Sequence, residues 1–206
     1  MKLYYMRGTC SLAVQIVLEW IGAPYEAVAV TREDVKSPDY LALDPGGTVP
    51  LLLDGEFALA ENVAILGYLA DLHPESRLLG DGTPRGRAEV MHWLGFLNSD
   101  VHTAFQPLFK PTRFLQDEVF AGAIAATARV HVGEYLERLD THLDGQDWLT
   151  GRRSVADPYL FVILGWANDF HVSLQRFARL SNFFDRMCAD AGVRTAIAAH
   201  EWAMPR

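Results

Sequence analysis

Cysteine is scarce in this chain of 206 residues: Cys10 and Cys188 are the two thiols present. Two thiols so far apart along the chain cannot build a disulfide scaffold or a metal cluster, and such usage suits a reducing, cytoplasmic compartment. Positive charge is also short. Lys and Arg number 18 against 26 Asp and Glu, for a formal net charge of −8. A chain this acidic has no electrostatic footprint for duplex nucleic acid or an anionic membrane. Long apolar runs are missing too. The most apolar stretch, Pro158 to Ala167, is flanked by Asp157 and Asp169. It has about half of the roughly 20 residues a membrane helix needs. The N-terminal MKLYYMRGTCSLAV has no continuous apolar core, so no signal peptide is expected. Cys10-Ser11-Leu12-Ala13 lacks the second thiol of a Cys-x-x-Cys redox motif. No G-x-S-x-G, G-x-x-x-x-G-K-[ST], G-x-G-x-x-G or H-E-x-x-H pattern occurs. Serine hydrolase, P-loop NTPase and dinucleotide enzyme lose their support, and no metal is expected.

Apolar types make up 50% and charged types 21%, an ordinary globular balance that excludes disorder. Two unlike halves follow. Lys2–Tyr5 and Tyr25–Val30 read as strands around Ser11–Ile21, whose apolar positions 12, 13, 16, 17, 20 and 21 form one helical face. Gly22-Ala23-Pro24 stops that helix. Leu51–Leu53 and Phe57–Leu59 flank Asp54-Gly55-Glu56, a hairpin signal, and Glu61–Leu72 is helical again. The order is βαβ, a connecting segment, then ββα, which fits one sheet covered by helices. Gly80-Asp81-Gly82-Thr83-Pro84 is the expected linker between a first domain at 1–79 and a second at 85–206. In the second the runs 85–109, 117–143, 155–170 and 174–190 have helical spacing, and no strand is evident. Residues 1–79 carry 5 basic and 11 acidic groups.

Four places carry possible chemistry. Cys10 ends the turn Met6-Arg7-Gly8-Thr9 and starts a helix. Helix N–H groups and a nearby Arg7 favour thiolate there, while a small buried hydrophobe is the competing reading. Val49-Pro50 lies between a Gly-rich loop and a strand, where a cis bond would present Val49 to an extended peptide, or where proline simply opens a strand. Glu61-Asn62 opens a helix. Backbone N–H groups and an amide suit a carboxylate, and Glu61 suits an ammonium, yet both residues also cap helices generally. His102 stands among aromatics at 93, 96, 105 and 109 and is open to a reading as core. Ser154-Val155-Ala156-Asp157 is a capping box with a structural role. Cys188 reads as core.

In order and spacing these pieces resemble cytosolic glutathione transferases, most closely the bacterial beta class. The resemblance rests on Met1–Tyr5 with Gly8–Ala13, on Tyr40–Pro45 with Gly47–Pro50, and on Ala60–Ile65 with Tyr68–Asp71. It continues in His102–Phe109 and Ala156–Phe161. It implies a thioredoxin-like α/β domain that binds glutathione, an all-α second domain that carries the electrophile site, and a homodimer. It places the glutathione cysteine near Cys10, with His102 approaching the thiol. Tyr5, Val49, Pro50, Glu61 and Asn62 join the glutathione set. Lys36 meets the glycine carboxylate, and Asp100 reaches the partner subunit's glutathione. Phe105, Phe109 and Trp166 line the electrophile site. Glutathione is a co-substrate, and no cofactor is implied.

The chain departs from the class at Met6-Arg7, at Val14-Gln15, and at Gly46, where a basic residue is frequent. That leaves Lys36 or Arg7 to supply charge to a carboxylate. Conjugation to small hydrophobic electrophiles is the expected activity. Thiol transfer through Cys10, or a binding module without catalysis, are the alternatives.

Overall fold

The computed structural model describes residues 1–114 and 118–202. β1 (Lys2–Tyr5), β2 (Glu26–Ala29), β3 (Leu51–Asp54) and β4 (Phe57–Ala60) form one sheet in the order β2-β1-β3-β4. β1 runs parallel to β2 and antiparallel to β3, and β3 and β4 close the hairpin read from Asp54-Gly55. Strand alternation sends Leu3 and Tyr5 into the core, while Tyr4 takes the other face and meets Tyr40 edge-on at 5.6 Å.

Three helices complete the first half. α1 (Ser11–Ile21) ends where expected, at Gly22, which takes the left-handed conformation with φ 68°. α2 (Pro38–Leu43) occupies the connecting segment. Proline at its first turn and the Ser37 hydroxyl accepting from Tyr40 N start it. α3 (Asn62–Leu72) follows β4 directly.

The second half is helical. The run read as one helix over 85–109 is three pieces. α4 (Pro84–Phe96) starts on the Thr83 cap, the chain widens to π geometry over Leu97–His102, and α5 (Thr103–Phe109) follows. Single π turns inside helices collect at functional sites, and this one carries His102. α6 (Ala121–His142) begins later than the run starting at 117, a residue outside the described ones. α7 (Ala156–Asp169) is the expected central helix, with every residue from Ala156 to Ala167 buried. Each of its fully buried Leu, Ile, Val and Phe side chains contributes roughly 1.5–3 kcal/mol. α8 (Ala178–Ala189) precedes α9 (Ala191–His200), which the sequence reading does not include. Asp190 joins them: it caps α9 at Val193 N, accepts from Trp20 Nε1 at 2.9 Å and pairs with Arg153. α9 thereby lies along α1.

The capping box behaves as expected. Buried Asp157 accepts from Ser154 N at 2.7 Å, Ser154 Oγ at 2.9 Å and Leu149 N at 3.0 Å. Val155 N donates to Leu78 O, so the same corner is tied to the end of the first half. Among the described residues, no helix is long and apolar enough to cross a membrane.

Candidate active site

β1 delivers the chain to a tight turn ahead of α1. Gly8 takes φ 73°, Thr9 Oγ1 donates to Met6 O, and Trp166 Nε1 on α7 donates to Gly8 O at 2.9 Å. Cys10 follows as the last residue before the helix, 9% exposed. Of the two readings of Cys10, burial favours the neutral buried thiol. Burial pushes the Cys10 thiol up to about 12, the nearby Glu61 charge adds to that, and a backbone hydrogen bond opposes it only in part. A helix N-terminus supplies roughly 0.3–1 kcal/mol, whereas desolvation moves a buried group by up to several pH units. Arg7, the other expected source of positive charge, is paired with Glu201 at the end of α9. Cys10 is therefore a neutral thiol in the unliganded protein.

The Val49–Pro50 bond is cis. Val49 lines a crevice of about 350 Å³ with Met6, Arg32, Lys36, Gly47 and Thr48. Asp44 shapes its rim by accepting from Gly46 N, Thr48 N and Thr48 Oγ1. Gly47 is required: φ is +57°, and a Cβ would stand 2.8 Å from Val35 O. Lys36 thus shares this crevice with Val49. Arg32, not foreseen, shares the same wall; its signal was a second cation four residues before Lys36.

Glu61 opens α3 with φ 73° and ψ 116°. Such a conformation costs a non-glycine residue about 1–3 kcal/mol and collects at ligand sites. It leaves the Glu61 carboxylate exposed beside Cys10. Asn62, 4% exposed, makes no well-formed hydrogen bond with either amide atom among the described residues, its amide only approaching the Tyr159 phenol. An orphaned buried amide costs about 1–3 kcal/mol unless a ligand or water meets it. Glu61, Asn62 and Cys10 thus face one place, and the Tyr159 phenol on α7 faces it from the second half.

His102 is half-buried, with Nδ1 2.7 Å from the Tyr159 hydroxyl, which donates to Asn98 Oδ1 at 3.0 Å. Desolvation pushes its pKa down to about 4, so the ring is neutral at pH 7. It stands 4.7 Å from the Trp166 ring and 6.0 Å from Phe109. Of the three expected electrophile contacts, Phe109 is 42% exposed, whereas Phe105 and Trp166 are buried behind it. Phe105 and Trp166 pack against Phe109 from behind, and Phe109 is the exposed member of the three.

Tyr5 lies elsewhere, and Asp100, expected to serve the partner subunit's glutathione, stands apart from this crevice. Tyr5 is turned away from this crevice: its hydroxyl donates to Ala199 O and its ring packs on His200, because β1 alternation points it under α9. Asp100 is exposed and lines a separate cavity of about 690 Å³ between α5 and α6, with Thr103, Phe114, Phe120, Ile124 and His131. Tyr159 and Asn98 were not foreseen. Their signal was slight: Tyr159 carries the one hydroxyl in a mostly apolar helix.

Comparison with known proteins identifies the family. The model of the glutathione S-transferase N-terminal domain matches residues 1–71, and that of the C-terminal domain matches residues 101–191. Glutathione S-transferase GST-4.5 of Xanthomonas campestris pv. campestris is 46% identical over 97% of this chain and 98% of its own. A sphingomonad glutathione S-transferase solved in complex with glutathione superposes with a TM-score of 0.87 at 36% identity, covering 98% of this chain and 100% of that one. A beta class glutathione S-transferase of Sphingomonas chungbukensis gives 0.86 at 35% identity, covering 97% and 98%. With both halves matched by the family's models and a 46% identical relative spanning nearly the whole chain, this protein belongs to the glutathione S-transferase family of transferases.

Proposed function

We propose that this chain binds glutathione across residues 1–79 and conjugates its sulfur to small hydrophobic electrophiles admitted by residues 85–206. The observation that carries the reading is the start of α3. The outward Glu61 carboxylate and the orphaned Asn62 amide are the complement of an α-amino acid end, and they face Cys10. The γ-glutamyl end binds there, the cysteinyl part lies along Val49, and the glycine carboxylate meets Lys36 and Arg32. The relative solved with glutathione supports this choice of ligand.

A free thiol has a pKa near 8.5, and lowering it by about two units stabilises the thiolate by roughly 2.7 kcal/mol. The N–H groups at the start of α1 and the Cys10 S–H are donors for that sulfur. Because Cys10 keeps its proton, it serves as a hydrogen-bond donor to the anion and is a poor nucleophile towards a mixed disulfide. Conjugation is favoured over thiol transfer on that ground. The Phe109 surface, backed by Phe105 and Trp166, receives the electrophile. A second copy of the chain covers the cavity beside Asp100, which completes a homodimer and brings Asp100 to the partner's glutathione.

Calorimetric titration with glutathione tests the binding half, with one saturable site per subunit expected. Turnover of a chloronitroaromatic tests the chemistry. No heat at several temperatures, or turnover equal to background at saturating glutathione, overturns the proposal. Full mixed-disulfide reductase activity that disappears in Cys10→Ser would instead install thiol transfer.

A further inference from the structure

Tyr159 is sealed from solvent within α7, yet its hydroxyl meets two polar groups of the π segment opposite, and the Asn62 amide of α3 approaches its oxygen as a further donor. Asn98 and His102 lie four residues apart on the π segment, so both reach one phenol from one face. The hydrogens can be assigned. A phenol has one proton, and the Asn98 carbonyl oxygen can only accept, so the O–H is directed to Asn98. His102 Nδ1 must then carry its own proton and donate to the phenol oxygen. A neutral imidazole holds one such proton, which leaves Nε2 bare. Nε2 has no hydrogen-bond partner among the described residues and is not closed off from solvent. The ring it belongs to rests on Trp166, whose Nε1–H holds the Gly8 carbonyl two residues ahead of Cys10.

We propose that Tyr159, oriented by Asn98, is a positioning residue that holds His102 in its Nδ1–H tautomer and turns the bare Nε2 to the glutathione sulfur. This rests on the glutathione reading above. The glutathione S–H bond breaks as Nε2 takes the proton. The sulfur electron pair forms the S–C bond, and in an aryl halide the halide leaves with its own pair. The imidazolium then returns its Nε2 proton to water. The Nδ1 proton stays on its phenol throughout, so nothing passes along Tyr159. Burial, with the Glu61 charge adding to it, pushes the Tyr159 phenol up and keeps it protonated, which preserves the arrangement.

The test compares Tyr159→Phe and Asn98→Leu with the parent protein. The readouts are the ¹⁵N resonances of His102 at pH 7, kcat and KM with a chloronitroaromatic, and glutathione affinity by calorimetry. The parent is expected to show a protonated Nδ1 and a bare Nε2. Tyr159→Phe is expected to move the proton to Nε2 and lower kcat about 10–100-fold, on the order of what a misplaced general base forfeits. KM for glutathione should stay within about twofold, since the group acts on the reacting proton and not on binding. Asn98→Leu keeps the phenol, and should give a mixture of tautomers with an intermediate kcat; it carries the test if Tyr159→Phe does not fold. A parent protein with protonated Nε2, an unchanged tautomer in both variants, or a kcat unaffected by the tautomer change overturns the proposal. Absence of glutathione binding by the parent would overturn the functional reading instead, and the nitrogen spectra would still decide the tautomer.

Discussion

Replacing Asp157 by alanine should remove a large part of the stability of the second half. The carboxylate accepts three hydrogen bonds, from Leu149 N, Ser154 N and Ser154 Oγ, at 2.7–3.0 Å and with no exposure. Loss of a cap alone costs about 0.5–2 kcal/mol, and each donor left buried without a partner adds about 1–3 kcal/mol. Ser154 Oγ can turn to another acceptor, so two orphaned N–H groups dominate. The sum is about 2.5–8 kcal/mol, against the roughly 5–15 kcal/mol that holds a domain folded. Urea unfolding followed by tryptophan fluorescence measures it, and at this chain length Tm should fall by roughly 10 °C. The pH dependence adds a second check. Burial raises the Asp157 pKa from 3.8 to about 6. A raised folded-state pKa means the folded protein holds the proton more tightly, so this group's contribution is greatest below about 4 and declines as pH rises through about 6. The gap between parent and variant should therefore be wider at pH 4.5 than at pH 7. A loss under about 1 kcal/mol at pH 7, or a gap that widens with pH, would refute the account of this corner.

Other outcomes follow from the same geometry. Cys10 in the unliganded protein should alkylate with iodoacetamide far more slowly at pH 7.5 than a free thiol, and fast labelling with an apparent pKa near 8 would show that helix N–H groups outweigh burial after all. Lys36→Ala and Arg32→Ala should each weaken glutathione binding about 3–10-fold, with the losses shrinking in high salt, as befits exposed charges meeting a carboxylate. His200 is wholly buried with no partner for either ring nitrogen among the described residues, and its pKa is depressed from 6.5 to about 4. The stability it permits is present above pH 6.5 and is lost as pH falls towards 4, so His200→Leu should flatten that acid limb in denaturation curves without lowering stability at pH 7.

Local signals made much of the fold legible. α1 could be read between its apolar stripe and Gly22, the hairpin from Asp54-Gly55, and α7 from the capping box and an unbroken apolar run, because each depends on neighbours within a few residues. Cys10, Val49-Pro50 and Glu61-Asn62 stood out for the same reason, as residue types at the ends of elements. The π segment and α9 did not: one is a single extra backbone residue per turn, and the other is a short alanine-rich helix settled by packing on α1 and by Asp190.

The sequence by itself determined the two halves, the chain order of most elements, and the chemistry available at the start of α1 and of α3. Tertiary structure alone decided how that chemistry is set. Whether Cys10 is thiol or thiolate depends on water excluded by distant segments, and Arg7 is engaged by a glutamate from the far end of the chain. Tyr5 was directed under α9, and Tyr159 was brought from α7 to His102, 57 positions away. Desolvation and hydrogen-bond partnership are properties of what surrounds a group in space, and no local pattern encodes them.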